Sequence, residues 1–158
     1  MAESHGEALV AKGSDGVATG IGHIGLTVRN RERSLGFYRD LIGLTEVDCN
    51  EFAEPSFGEL TNNPGARIRT ALLDAGSFLL QLIEYVDGGG ETLGLDHRHV
   101  GNLHFCFYVE DADRAFKEVT RHGVEVTSGI VGITDKIRSF YVADPDGVAV
   151  ELMEGTYP

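Results

Sequence analysis

Residues 21–28 read IGHIGLTV, and residues 102–109 read NLHFCFYV. Each is a short apolar run with a histidine at its third position, five residues before a closing valine. Both are predicted strands, because apolar residues of high β propensity dominate them. The segments downstream of the two runs match as well. RERSLGFYRDLIGL (31–44) sets Leu35, Tyr38, Leu41 and Ile42 at helical spacing, with Gly43 as the stop. DADRAFKEVTRHG (111–123) sets Ala112, Ala115, Phe116 and Val119 on one side and ends at Gly123. With His23 laid on His104, Val28 meets Val109, Arg33 meets Arg114, and Gly43 meets Gly123 across a single-residue gap. Agreement in order, spacing and strand position marks an internal repeat.

The remaining segments complete the repeat. TEVDC (45–49) reads as a strand, and ARIRTALLDAGSFLLQLIEYV (66–86) as two strands joined at Asp74–Ser77. VEVTSG (124–129) reads as a strand, and KIRSFYVADPDGVAVELME (136–154) as two strands around a turn at Asp144–Gly147. Each half is therefore strand, helix, strand, strand, strand. The expected fold is α+β: two tandem βαβββ modules forming an open curved mixed sheet around a central metal-binding cavity, with helices outside. The expected layout is a disordered tail over 1–20, a first module with long loops over 21–98, and a second over 99–158. His5, in the tail, is expected to be solvated. Residues 51–65 read as a long polar connection and 87–99 as a Gly-rich loop.

Successive strand residues face opposite ways. His23, Gly25 and Thr27 share one face, opposite the apolar Ile24, Leu26 and Val28. His104, Cys106 and Tyr108 share a face opposite Phe105, Phe107 and Val109. In the last strand of each half, Gln81 and Glu151 occupy corresponding places, each followed by a leucine. If the repeats pair around one concavity, His23, Gln81, His104 and Glu151 converge inside it. Two imidazoles, an amide oxygen and a carboxylate suit a divalent first-row metal, whose charge offsets the cost of burying the carboxylate.

Bulk properties narrow the partners. A formal net charge of -12 repels phosphate backbones and anionic membranes, so neither is an expected partner. No segment approaches the about 20 apolar residues of a membrane span, and residues 1–20 lack a signal-peptide pattern, so cytoplasmic residence is expected. Cys49 and Cys106 are the only cysteines, too few for a disulfide framework and not spaced as a zinc pair. Both are expected to be reduced, and Cys106 to be a buried strand residue.

The stretches GHIGLTVRNRERSLGFYRDLIGL, LLQLIEY, HFCFYVEDADRAF and DPDGVAVELME together resemble the vicinal oxygen chelate superfamily over about Ile21 to Glu154. That superfamily takes in glyoxalase I, methylmalonyl-CoA epimerase, the extradiol dioxygenases and the bleomycin-resistance proteins. The resemblance implies paired βαβββ modules around a metal, with His23, Gln81, His104 and Glu151 as ligands. The order His, Gln, His, Glu looks like the epimerase. Glyoxalase I usually has a carboxylate where Gln81 stands. The bleomycin-resistance branch usually lacks the ligands. The epimerases also carry a proton-transfer glutamate just before the strand that starts near Ala66. Asn63 or Pro64 stands there in this chain, and Glu59 is the nearest upstream acid. A homodimer is implied by the same resemblance.

Three functions compete at this level. The first is a lyase or isomerase of glyoxalase or epimerase type. It works on a small oxygenated substrate with a divalent ion (zinc, nickel, cobalt, manganese or iron). Glu151 moves the proton, and Glu59 is a second candidate. The second is an iron(II) dioxygenase built on His23, His104 and Glu151. The third is a binding or resistance protein whose cavity is lined by Phe57, Tyr108 and Tyr141. His97 and His99 read as solvated loop residues, with His99 the nearer to the cavity mouth. His122 suits a helix C-terminus. Arg67 and Arg69 share a strand face, where acidic surface residues are the expected partners. Lys136 and Arg138 are candidate rim residues.

Overall fold

The structure is a computed structural model that describes residues 17, 18, 20–87, 89–93 and 96–157. Residues 1–16, which hold most of the expected tail and His5, lie outside the described residues. The first module runs β1 (Ile24–Thr27), α1 (Arg31–Leu35), β2 (Thr45–Phe52), α2 (Pro55–Leu60), β3 (Ile68–Asp74) and β4 (Leu79–Tyr85). The second runs β5 (Phe105–Val109), α3 (Ala112–Arg121), β6 (Val131–Gly132), β7 (Arg138–Ala143) and β8 (Ala149–Glu154). The strands form two four-stranded mixed sheets of the same order, β1-β4-β3-β2 and β5-β8-β7-β6. In each, the first and last strands of the module pair in parallel and the other pairs are antiparallel. The α+β fold of tandem βαβββ modules is thus the one the repeat predicts.

The repeat extends to how each helix begins. Glu84, at the end of β4, accepts the N–H of Arg31 at 2.8 Å, and Glu154, at the end of β8, accepts that of Ala112 at 2.8 Å. Both helix starts give an N–H that has no partner within the helix to a carboxylate, which the helix dipole favours. Each glutamate also meets the arginine opposite it in register, Arg69 at 3.7 Å and Arg138 at 3.3 Å. The helices stop where predicted: Gly43 and Gly123 take φ of 96° and 71°, a conformation that side-chain-bearing residues resist.

Three details depart from the sequence reading. α1 continues as a π-helical turn over Gly36–Leu41, closed by Ile42 N–H to Phe37 O at 2.9 Å. The polar connection contains α2, opened by Pro55 in its first turn, and Phe57 stacks on Phe52 at 4.4 Å. The strand predicted over 124–129 does not form as such. Val126 alone bridges to Val142, while the N–H groups of Thr127 and Ser128 both point to Tyr141 O at 2.9 and 3.3 Å. The Ser128 hydroxyl takes the Tyr141 N–H at 2.8 Å, so a side chain replaces a ladder bond and the chain re-enters the sheet only at β6.

The described residues pack as two compact units. One holds those up to Arg31 together with Gly43–Asp87, and the other holds Glu32–Ile42 together with those after Asp87. In the first, Leu73, Leu80 and Leu82 are fully buried, and each such leucine contributes about 2 kcal/mol. In the second, Tyr38 is fully buried, its ring edge-on to Phe37 at 4.9 Å and to Phe105 at 6.2 Å. Its hydroxyl donates to Asp144 Oδ2 at 2.9 Å. Asp144 Oδ1 accepts the N–H groups of Asp146 and Val148, each at 2.8 Å, which builds the β7–β8 turn.

Candidate functional site

Glu151 lies on β8 and is only 6% exposed. Register places it between Cys106 on β5 and Tyr141 on β7, so the three side chains share one sheet face. Ser139, two residues before Tyr141, faces the same way. Both carboxylate oxygens are occupied: Ser139 Oγ donates to Oε1 at 2.5 Å, and Tyr141 Oη donates to Oε2 at 2.9 Å. His104 stands one residue before β5, its Nε2 3.4 Å from the same Oε2. The sequence pattern puts it in the strand itself. His23 stands likewise one residue before β1, so the repeat preserves this threshold position.

The carboxylate acts on its neighbours. Burial, then the hydrogen bond and charge of Glu151, pushes the Tyr141 hydroxyl well above its usual range. Partial burial, then the charge and hydrogen bond of Glu151, pushes the Cys106 thiol up to about 11. Cys106 is therefore a protonated donor beside Glu151, and as a residue it is exposed rather than buried as the strand pattern implied.

A second histidine joins this group. His97 sets its ring edge-on to Tyr141 at 4.9 Å and 6.2 Å from His104, while His104 lies 5.5 Å from Tyr141. The loop that carries it is built around Asp96. The Asp96 carboxylate accepts the Arg98 N–H at 2.9 Å and the Arg98 guanidinium at 3.1 and 2.7 Å. Its carbonyl accepts from His99 N–H and Asn102 Nδ2. Arg98 holds the Asp96 carboxyl down at about 2. Sequence reasoning makes His97 a solvated residue and puts His99 nearer the site. The signal it passes over is Asp96, a turn-building residue directly before His97.

The other two predicted ligands belong to the first unit. Gln81 on β4 pairs in register with Gly25 on β1 and Leu72 on β3. Cys106, Tyr141 and Glu151 thus correspond to Gly25, Leu72 and Gln81, so the thiol and the phenol around the carboxylate have no counterparts around the amide, whereas Ser139 is matched by the hydroxyl residue Thr70. His23 is exposed and Gln81 half-buried. Glu59 is exposed on α2. Arg67 and Arg69 pair with Glu51 at 2.8 and 3.0 Å, the acidic partner expected of them. Arg138 pairs with Asp113 and Glu154. His122 caps α3 at its C-terminus, with Nδ1 2.9 Å from Glu118 O.

His104 and Glu151 fit a metal on two counts. Their chemistry, imidazole nitrogen with carboxylate oxygen, is that of zinc and its first-row neighbours. Two ligands on a tetrahedral ion with bonds of about 2.1 Å lie about 3.4 Å apart, and Nε2 and Oε2 are separated by 3.4 Å. Among the described residues, no three His, Cys, Asp or Glu side chains gather closely enough to hold an ion, and Gln81, an amide, is outside that count.

Among the described residues no helix is long and apolar enough to cross a membrane. No curated protein matches the chain. Solved structures share its fold. A glyoxalase family protein from Bacillus cereus is similar at 18% identity, over 99% of this chain and 100% of that one, with a TM-score of 0.79. A glyoxalase/dioxygenase from Nostoc punctiforme is 21% identical over 91% of this chain and 96% of that one, with a TM-score of 0.65. The genomically encoded fosfomycin resistance protein FosX from Listeria monocytogenes is 20% identical over 89% of this chain and 95% of that one, with a TM-score of 0.57. It was solved as a mutant complexed with Mn(II) and 1S,2S-dihydroxypropylphosphonic acid. The family described as Glyoxalase/Bleomycin resistance protein/Dioxygenase superfamily matches residues 20–152, and the chain belongs to it.

Proposed function

We propose that the chain is a metal-dependent lyase or isomerase of the glyoxalase and epimerase kind, moving a proton beside the oxygens of a small substrate. His23, Gln81, His104 and Glu151 are its ligand set for one divalent ion (zinc, nickel, cobalt, manganese or iron). The observation that carries this reading is the 3.4 Å between His104 Nε2 and Glu151 Oε2, at positions the repeat duplicates as His23 and Gln81. Kinship with FosX, solved with Mn(II), supports it. When bound, a divalent ion acts as a Lewis acid and acidifies the C–H next to a substrate carbonyl. The chain's own residues do the rest. His104 offers Nε2. Gln81 offers an oxygen that is no base, so proton transfer falls to a carboxylate. Glu151 moves the proton, either by leaving the ion or through a bound water, while Ser139 holds Oε1 in place. Glu59 is the second candidate for that transfer. A homodimer in the cytoplasm is part of the same proposal.

The test is metal content by plasma mass spectrometry on tag-free protein, with a His23→Ala, His104→Ala variant beside it. Deuterium wash-in at the C–H next to the carbonyl of methylmalonyl-CoA and of hemithioacetals is monitored in parallel. The expected result is stoichiometric metal lost in the variant, and turnover that Glu151→Gln lowers about 10²–10⁴-fold. Full turnover in Glu151→Gln takes the proton-transfer role from Glu151. Oxygen uptake with catechols under iron(II) moves the chain to the dioxygenases. No metal after reloading with divalent ions leaves a ligand-binding protein.

A further inference from the structure

We propose that Ser139 and Tyr141 are positioning residues that clamp Glu151, leaving Oε2 as the oxygen offered to an ion. This rests on the metal-dependent reading above. The two halves of the repeat differ at this point. Opposite Gln81 the register places Leu72, which has nothing to donate, whereas opposite Glu151 it places Tyr141. Ser139 is matched in the first module by Thr70, so the O–H donor peculiar to the side that carries a charge is that of Tyr141. The two donors to Glu151 land on different oxygens, Ser139 on Oε1 and Tyr141 on Oε2. A carboxylate held at both ends cannot turn about its last bond without breaking both hydrogen bonds. Of the two oxygens held in this way, it is Oε2 that faces His104, at 3.4 Å.

The clamp is itself fixed. Ser139 is 4% exposed. The Tyr141 N–H is tied to Ser128 Oγ at 2.8 Å, in the segment where the predicted strand breaks. The Tyr141 ring lies edge-on to His97 at 4.9 Å and near His104 at 5.5 Å. The irregular segment and the Asp96 loop therefore serve one end: both hold Tyr141. Outer residues that orient a ligating carboxylate typically carry 10–100-fold in metal affinity.

The experiment titrates the chelator-treated full chain with cobalt(II), reading affinity and the visible ligand-field bands. The chains are wild type, Tyr141→Phe, Ser139→Ala, Ser139→Thr and His104→Ala. Tyr141→Phe keeps the ring and its contacts with both histidines. The expected result is binding weakened about 10–100-fold in Tyr141→Phe and in Ser139→Ala, with altered bands. Ser139→Thr, which retains the hydroxyl, restores both readouts, and His104→Ala loses the bands. Wild-type affinity and bands in Tyr141→Phe and Ser139→Ala overturn the clamp and leave the metal reading standing. A loss in Ser139→Ala that Ser139→Thr does not repair assigns the effect to packing and also overturns the clamp. A wild type that takes up no cobalt(II) removes both readings.

Discussion

The buried pair Tyr38 and Asp144 shows how much one carboxylate decides. Asp144 is 4% exposed, and burial raises its carboxyl above the ordinary value despite the bonds it accepts from Val148, Tyr38 and Asp146. A raised value means that the folded chain holds the proton more tightly than the unfolded one. The stability linked to this group is therefore present at low pH and lost as pH rises through the folded value. Asp144→Asn carries no such titration. Measured by urea unfolding, the stability of Asp144→Asn relative to wild type is expected to improve steadily from acidic to neutral pH. A drift in the opposite direction would mean that the hydrogen bonds to the charged form outweigh burial. Tyr38→Phe, which strips Asp144 Oδ2 of its donor and keeps the ring, is expected to cost about 1–3 kcal/mol at neutral pH. At this scale the sequence was legible where a residue has a repeat partner. His104 and Glu151 have such partners in His23 and Gln81, and their side chains lie 3.4 Å apart. His97 was not legible, because its position depends on a turn that Asp96 builds.

Elements were legible where one periodicity or one stop signal governs them. α3 begins at Asp111, whose side chain accepts the Arg114 N–H at 2.9 Å, and ends at Gly123 with positive φ. That backbone bond, more than any ion pair, holds the Asp111 carboxyl below its usual value. A lowered value reverses the sign argued for Asp144: the stabilisation is present above the unfolded carboxylate value and lost as pH falls through the folded one. Asp111→Ala is accordingly expected to melt below wild type at neutral pH, with the gap closing in acid. A gap that persists unchanged at low pH assigns the loss to something other than the charged cap. The elements that escaped prediction have physical reasons in common. α2 is six residues long, too short for a period to register. The π-helical turn leaves the same apolar positions in place and differs only in hydrogen bonding. The segment 124–129 has strand-forming residues, but Ser128 diverts the Tyr141 N–H, a competition no propensity records.

For the whole molecule, the repeat made the architecture readable, because two modules with the same strand order leave few alternatives. It did not make chemistry readable, because the modules differ around the candidate ligands: Gly25, Leu72 and Gln81 in one stand for Cys106, Tyr141 and Glu151 in the other. A ligand that binds only the folded chain stabilises it, so a bound metal is detectable as a shift in unfolding. At an ion concentration 100 times its dissociation constant the shift is about 2.7 kcal/mol. Zinc and manganese, added in turn to chelator-treated protein, are expected to raise the urea midpoint of wild type and not that of His104→Ala. The decisive arm is His23→Ala. If one ion is shared by the four residues, the shift is lost there too, and Gln81→Ala reduces it. A full shift in His23→Ala confines the ion to His104, Glu151 and their neighbours, and reduces the duplicated histidine of the first module to an inheritance of the repeat.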